Sequence, residues 1–237
     1  SRRETFTQRL YALACLYRFI EEDTDQRLIR VAEWNAMQKV ELQERNWSEG
    51  QAQALETIRQ GLLRSDANND KQRYLYLSGE PGAGKSEVLV HAAVRAAEEG
   101  HRVMVLCPTG TLVHAYRDRL PDTEYISIET IHSGMKIHRE ADLAKVQYAP
   151  PTRLRRIDLF LIDEGSQVDD DIAERLFLAL QELPHKPFVA LAADFQQLSP
   201  ISGGARMWRW CMSMQRVELK TILRTNDPEL LQFLSDL

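Results

Sequence analysis

Cysteine is scarce in this chain. Cys15, Cys107 and Cys211 are the three among 237 residues, and they lie far apart. That spacing excludes a disulfide-stapled scaffold and every common zinc-ligand arrangement. Long apolar runs are also lacking. YALACLY, the longest near the N-terminus, is too short for a bilayer and lacks the layout of a signal peptide. Positive charge is not in excess: 30 Lys and Arg stand against 35 Asp and Glu, a net charge of −5. The molecule as a whole is therefore no basic nucleic-acid binder, and any such contact must come from local patches. Internal repeats and low-complexity segments are missing too. These absences lead to the expectation of a soluble intracellular monomer without membrane contact, in the nucleus or mitochondrion of a eukaryote and otherwise in the cytoplasm.

Residues 1–46 contain neither glycine nor proline. Apolar residues recur there at helical spacing, with Leu10, Leu13, Ala14, Leu16, Tyr17 and Ile20 before the break EEDTDQ, and Leu28, Val31, Ala32 and Met37 after it. The pattern predicts a helical appendage of two or three amphipathic helices. From residue 47 to 237 the pattern alternates. A helix is expected from Ser48, a good N-cap, to about Leu63, then a loop at SDANND. The strand YLYLS precedes a helix over Ser86–Glu99 that Gly100 stops. RVMVLCP, IDLFLIDE and PFVALAAD read as strands, and TLVHAYRDRL and DDIAERLFLALQEL as helices between them. QRVELK is a candidate fifth strand. Near-continuous apolar strands alternating with helices imply an α/β domain, a mostly parallel sheet covered on both faces.

Gly79-Glu80-Pro81-Gly82-Ala83-Gly84-Lys85-Ser86 fits the P-loop pattern, with a strand before it and a helix after it. Glycines let the backbone curl so that successive N–H groups face phosphate oxygens, and the helix N-terminus adds partial positive charge. Lys85 would reach the β- and γ-phosphates, and Ser86 would offer its hydroxyl to Mg2+. Asp163 and Glu164 end the apolar strand LFLI. There Asp163 can hold Mg2+ through water and Glu164 can polarise the attacking water as general base. No Asn-Lys-x-Asp guanine signature occurs, so the carboxylate pair points to ATP. After PFVALAA come Asp194 and Gln197, where a glutamine can sense the γ-phosphate.

The ordered set GEPGAGKS, CPTGT, TIHS, LIDEGSQ, DFQQLSPI and ELKTILRTNDPELLQFL resembles the PIF/RecD-like branch of superfamily-one DNA helicases. It is similar most of all to the PIF-type helicases, including those carried by Helitron transposons. The resemblance covers about Trp47 to Leu237 and implies a RecA-like motor domain. By this resemblance Gln51 reads the adenine edge, which alone would be an ordinary exposed helix residue. Pro108, Thr109 and Gly110, then Thr130, His132 and Ser133, contact single-stranded DNA. Gln197 is the γ-phosphate sensor. Arg224 stabilises charge in the transition state, as arginine fingers do. The implied activity is ATP-driven movement on single-stranded DNA, 5′ to 3′, in repair, recombination, telomere maintenance or transposition.

Several departures stand beside the resemblance. Ala193 replaces a usual glycine, and Gly165 and Gln167 replace a small residue and methionine, which is expected to adjust packing only. A basic linker over 135–157 holds Lys136, Arg139, Lys145, Arg153, Arg155 and Arg156, with Tyr148 and the pair Pro150-Pro151. It reads equally as a small wedge insertion or as a solvated loop. The second RecA-like domain of such helicases is not in this sequence, and the chain alone is expected to bind ATP weakly and not to unwind processively. A nucleotide-regulated nucleic-acid-binding module without turnover, and an RNA helicase of a related branch, remain as alternatives.

Overall fold

In the computed structural model the described residues are 46–63, 70–136, 150–195 and 204–220. The helices expected within residues 1–46, the SDANND loop up to Asn69, most of the basic linker and the segment after Lys220 lie outside them.

The first helix, α1, spans Glu49–Leu63. Ser48 and Gln51 explain its start. The Gln51 N–H donates to Ser48 Oγ at 3.4 Å and the Ser48 N–H donates to Gln51 Oε1 at 3.1 Å. This is a reciprocal capping box. Strand β1 is Tyr74–Gly79, and α2 runs Lys85–Glu98. Gly100, with φ 86°, closes α2: its N–H donates to the Ala97 carbonyl, and the His101 N–H donates to the Ala96 carbonyl. That pairing is a Schellman motif, which glycine enters without steric cost. Then follow β2 (Val103–Cys107), α3 (Gly110–Arg117), β3 (Ile126–Thr130) and the short α4 (Ile131–Met135). β4 (Leu159–Ile162), α5 (Asp170–Glu182), β5 (Phe188–Ala192), α6 (Ala205–Ser213) and β6 (Gln215–Leu219) complete the set.

The six strands form one sheet in the order β3-β2-β4-β5-β1-β6, and every pairing is parallel. Side chains alternate across it. Tyr74, Tyr76, Met104, Leu106, Phe160, Ile162, Val189 and Leu191 meet α4, α5 and α6 in one core layer. Leu75, Leu77, Val103, Val105, Leu159 and Leu161 are buried on the other face, under α1, α2 and α3. Tyr74 and Phe177 pack edge-on to Trp210 at 5.7 and 4.7 Å, which seats α5 and α6 on β1. The result is the RecA-like P-loop fold, with strand C-termini along one edge.

Three elements go beyond the sequence expectation, among them the short α4. β3 is a sixth, edge strand, half-buried along most of its length. Helix α6 has no side-chain cap of its own. Asp170 of α5 supplies one, accepting from the Gly204 and Arg206 N–H groups at 3.0 and 2.8 Å.

Candidate functional site

The loop between β1 and α2 needs its glycines. Gly79, Gly82 and Gly84 have φ of 147°, 87° and 87°, a region that costs any residue with a Cβ. At Gly79 a Cβ would also lie 2.5 Å from the Leu219 carbonyl oxygen, so only glycine lets β6 abut the loop. Pro81 is exposed at the tip, and Ala83 is buried beneath it, its N–H donating to the Glu80 carbonyl at 3.2 Å. Lys85 Nζ donates to the Gly79 and Glu80 carbonyls, the latter at 3.0 Å. The ammonium thus lies along the loop backbone. A phosphate there would exchange neutral carbonyls for charge-assisted bonds.

β4 does not adjoin β1, because β5 lies between them. Asp163 nevertheless reaches the loop. Ser86 Oγ donates to Asp163 Oδ2 at 2.8 Å. Tyr116 donates its hydroxyl to the same oxygen at 2.6 Å, and the Glu164 N–H donates to Oδ1 at 2.9 Å. Asp163 is 2% exposed, so these three donors hold a buried carboxylate. Burial, then the Asp163 charge, pushes the Tyr116 phenol well above its ordinary range. The same two causes push the Cys107 thiol up to about 12. Both neighbours stay protonated at neutral pH, and Tyr116 stays a donor.

Ser86 and Asp163 offer hard oxygen ligands side by side. Among the described residues no cluster of three or more His, Cys, Asp or Glu could hold a metal alone. Mg2+ takes one or two protein oxygens and completes its shell with water and phosphate, and Ser86 Oγ and Asp163 Oδ2 are two such oxygens. Glu164 follows in the left-handed region, φ 50°, unusual for a side chain of its size and a mark of functional turns. Gln167 Nε2 donates to Glu164 Oε2 at 3.5 Å. Gly165 packs closely: a Cβ there would lie 2.8 Å from Leu191 Cδ2 and 3.4 Å from the Ala192 carbonyl. Its departure from the family pattern is therefore a close approach of this turn to β5.

Gln51 is 1% exposed rather than lying on an open helix face. Its Nε2 donates to the Ala83 carbonyl at 3.1 Å, and its Oε1 accepts from Ser48. One amide thus ties the start of α1 to the P-loop. An amide offers two N–H groups and two lone pairs, and these bonds use one of each.

The segments expected to touch DNA stand at the ends of β2 and β3, where Cys107 and Thr130 are register partners. Pro108, Thr109 and Gly110 lead into α3, with Thr109 Oγ1 accepting from the Leu112 N–H at 3.3 Å. Thr130 caps α4 in the same way, its Oγ1 accepting from the Ser133 N–H at 3.2 Å. His132, Ser133, Thr109 and Gly110 are exposed. Ser133 Oγ also donates to Glu129 Oε2 at 3.0 Å. Arg153 meets Glu129 through both terminal nitrogens, its Nη2 at 2.7 Å from Oε2, and also donates to the Ser133 carbonyl at 3.1 Å. Arg153, read in the sequence as part of a basic linker, is thereby engaged on the protein itself. Leu154 beside it is fully buried.

Gln197, Arg224 and the linker residues 137–149 lie outside the described residues. Asp194 is buried at the end of β5, and the Ala193 N–H donates to the Leu77 carbonyl at 3.2 Å. Tyr116 is the site residue that sequence reasoning missed. It lies in an apolar stripe with Val113 and Leu120, which reads as plain core. Only the strand order brings that stripe under Asp163.

A family model described as an AAA domain matches residues 46–237. No curated protein matches. Among solved structures, one of DNA unwinding at forked double-stranded DNA by two coordinating Pif1 helicases aligns with a TM-score of 0.55 at 18% identity, over 81% of this chain and 48% of that one. The Pif1 helicase from Candida albicans gives 0.56 at 20% identity, over 81% and 44%. Pif1 from Bacteroides sp in complex with ADP-AlF4 gives 0.50 at 18% identity, over 81% and 46%. The chain thus spans about half the length of the structures whose fold it shares.

Proposed function

The chain belongs to the AAA domain family, and from that premise we propose that it is an ATP-hydrolysing motor domain of a PIF-type DNA helicase, acting on single-stranded DNA. One observation carries the reading: Ser86 of the P-loop and Asp163 of the β4 end share a hydrogen bond at 2.8 Å, with Glu164 next in the chain. A phosphate cradle alone binds nucleotide. A cradle joined to an Asp-Glu pair has the parts to hydrolyse it.

The roles follow from the geometry. Backbone N–H groups of Gly82 to Lys85 and the α2 N-terminus would hold the phosphates, and Lys85 would turn from the loop carbonyls to the β- and γ-oxygens. Ser86 and Asp163 would hold Mg2+, which when bound neutralises phosphate charge. Glu164 would take the proton of the attacking water. Gln51 would select adenine from the α1 side. Gln197 and Arg224 are proposed from their sequence positions to sense the γ-phosphate and stabilise the transition state. Pro108–Gly110 and Thr130–Ser133 form neighbouring ends of the same sheet edge, suited to one strand's sugar–phosphate backbone. The 5′ to 3′ polarity, the roles in repair, recombination or transposition, and an intracellular site belong to the same proposal.

The test is steady-state ATP hydrolysis without polymer, with single-stranded DNA and with single-stranded RNA. Stimulation by DNA is expected. No stimulation by either polymer would overturn the motor reading, and stimulation by RNA alone would reassign its track.

A further inference from the structure

Helix α3 begins at one candidate DNA-contacting segment and reaches the carboxylate of the nucleotide site. Thr109 caps it and Gly110 is its first residue. Six residues on, about 9 Å along the axis, Tyr116 donates its hydroxyl to Asp163 Oδ2 at 2.6 Å. Both groups are buried, at 1% and 2% exposure. The same oxygen accepts from Ser86. Just past the helix, Arg119 forms an ion pair with Glu87 in the first turn of α2. The two ties join α3 to the nucleotide side, and its opposite end carries Pro108–Gly110.

We propose that Tyr116 is a positioning residue through which a strand bound at Pro108–Gly110 acts on Asp163, so that single-stranded DNA and Mg2+-nucleotide alter each other's affinity. This rests on the functional reading above. Two helical turns are stiff, so a shift at the N-cap is carried to the phenol. A short hydrogen bond to a buried carboxylate is steep in distance and angle. Without the hydroxyl, Asp163 keeps Ser86 and the Glu164 N–H, and α3 loses its direct hold on the carboxylate. A purely structural tyrosine would stabilise the fold and leave the mutual effect of the two ligands intact. Coupling is reciprocal, so it is measurable as binding without turnover.

The experiment is fluorescence anisotropy of a labelled single-stranded oligonucleotide on the full chain, with and without Mg2+ and a non-hydrolysable ATP analogue. The wild-type chain and Y116F are compared, and a cooperative thermal melt shows that the variant folds. For wild type the analogue is expected to change the strand's Kd by at least about fivefold. In Y116F that ratio falls to about one, whatever the affinities for each ligand alone. An unchanged ratio in Y116F overturns the proposal, and so does a wild-type ratio of one when both ligands bind. Either result leaves the proposed function standing, whereas a wild-type chain that binds neither ligand removes both. If Y116F does not fold, Arg119→Gln releases the other tie of α3. The ratio is then expected to fall at least by half, and no change overturns the coupling.

Discussion

Ser86 Oγ and Asp163 Oδ2 stand 2.8 Å apart although 77 residues separate them in the chain and β5 lies between β1 and β4, the strands that precede them. The contact joins the loop that would hold phosphate to the carboxylate that would face its magnesium. Ser86→Ala is expected to weaken Mg2+-dependent nucleotide binding by about tenfold, or about 1.4 kcal/mol. The melting temperature should change little, because Tyr116 and the Glu164 N–H still satisfy Asp163. Calorimetric titration with nucleotide at varied Mg2+ checks it, and equal affinity in the two proteins would remove Ser86 from the metal site.

Gln51 has two duties that separate by experiment. Its capping box and its bond to Ala83 are structural. Ser48→Ala removes half of the cap and is expected to cost about 1 kcal/mol of stability, with no change in base preference. Gln51→Ala is expected to destabilise by a similar amount and also to bring the ATP-to-GTP affinity ratio toward one. Denaturant unfolding and competitive nucleotide binding measure the two effects. A retained preference for ATP in Gln51→Ala would assign the base contact elsewhere.

Two glycine-to-alanine substitutions in helices should have opposite signs. At Gly61 of α1 a Cβ would lie 2.1 Å from the Phe188 ring, in the core. The helix-propensity gain of about 1 kcal/mol is outweighed by overpacking of about 1–3 kcal/mol, so Gly61→Ala lowers Tm. At Gly110 of α3 nothing lies within 4 Å of the added methyl. Gly110→Ala is expected to stabilise by about 0.5–1 kcal/mol and to weaken single-strand binding, since the methyl stands where a backbone would approach. Thermal melts and oligonucleotide titrations read both.

The Glu129–Arg153 pair predicts an acid-side effect. Burial disfavours the Glu129 charge, but the bonds from Arg153 and Ser133 outweigh it and hold the carboxyl below its ordinary value. A carboxylate with a lowered folded pKa contributes stability that is present above its unfolded value, about 4.3, and is lost as pH falls through the folded one. Glu129→Gln should therefore lose about 1 kcal/mol near pH 7, discounted because Arg153 is partly exposed. It should also show a shallower fall in Tm than wild type on acidification below pH about 4.5. Parallel Tm–pH curves would show that the pair contributes nothing.

Most of the sheet was legible in the sequence because β1, β2, β4 and β5 are buried on both faces and read as apolar runs. β3 was not, since Ser127, Glu129 and Thr130 on a half-buried edge give no such run. α6 was hidden because its cap, Asp170, comes from another helix. In the site, Lys85, Ser86, Asp163 and Glu164 were readable from local pattern. Tyr116 was not, and Arg153 was read only as linker charge, since their partners Asp163 and Glu129 become neighbours only through strand order and crossover. Gln51 showed its residue type but not its burial, which depends on the P-loop folding over it.

Under the proposed function the joined loop and carboxylates form an ATP engine driven by a single strand. Phosphate release from MgATP by the chain, titrated with single-stranded DNA in wild type and in Lys85→Ala, tests it most directly. The expected result is a rate that rises with DNA in wild type and falls by at least about 10²-fold in the variant. A rate indifferent to DNA, or one that Lys85→Ala leaves unchanged, would contradict it.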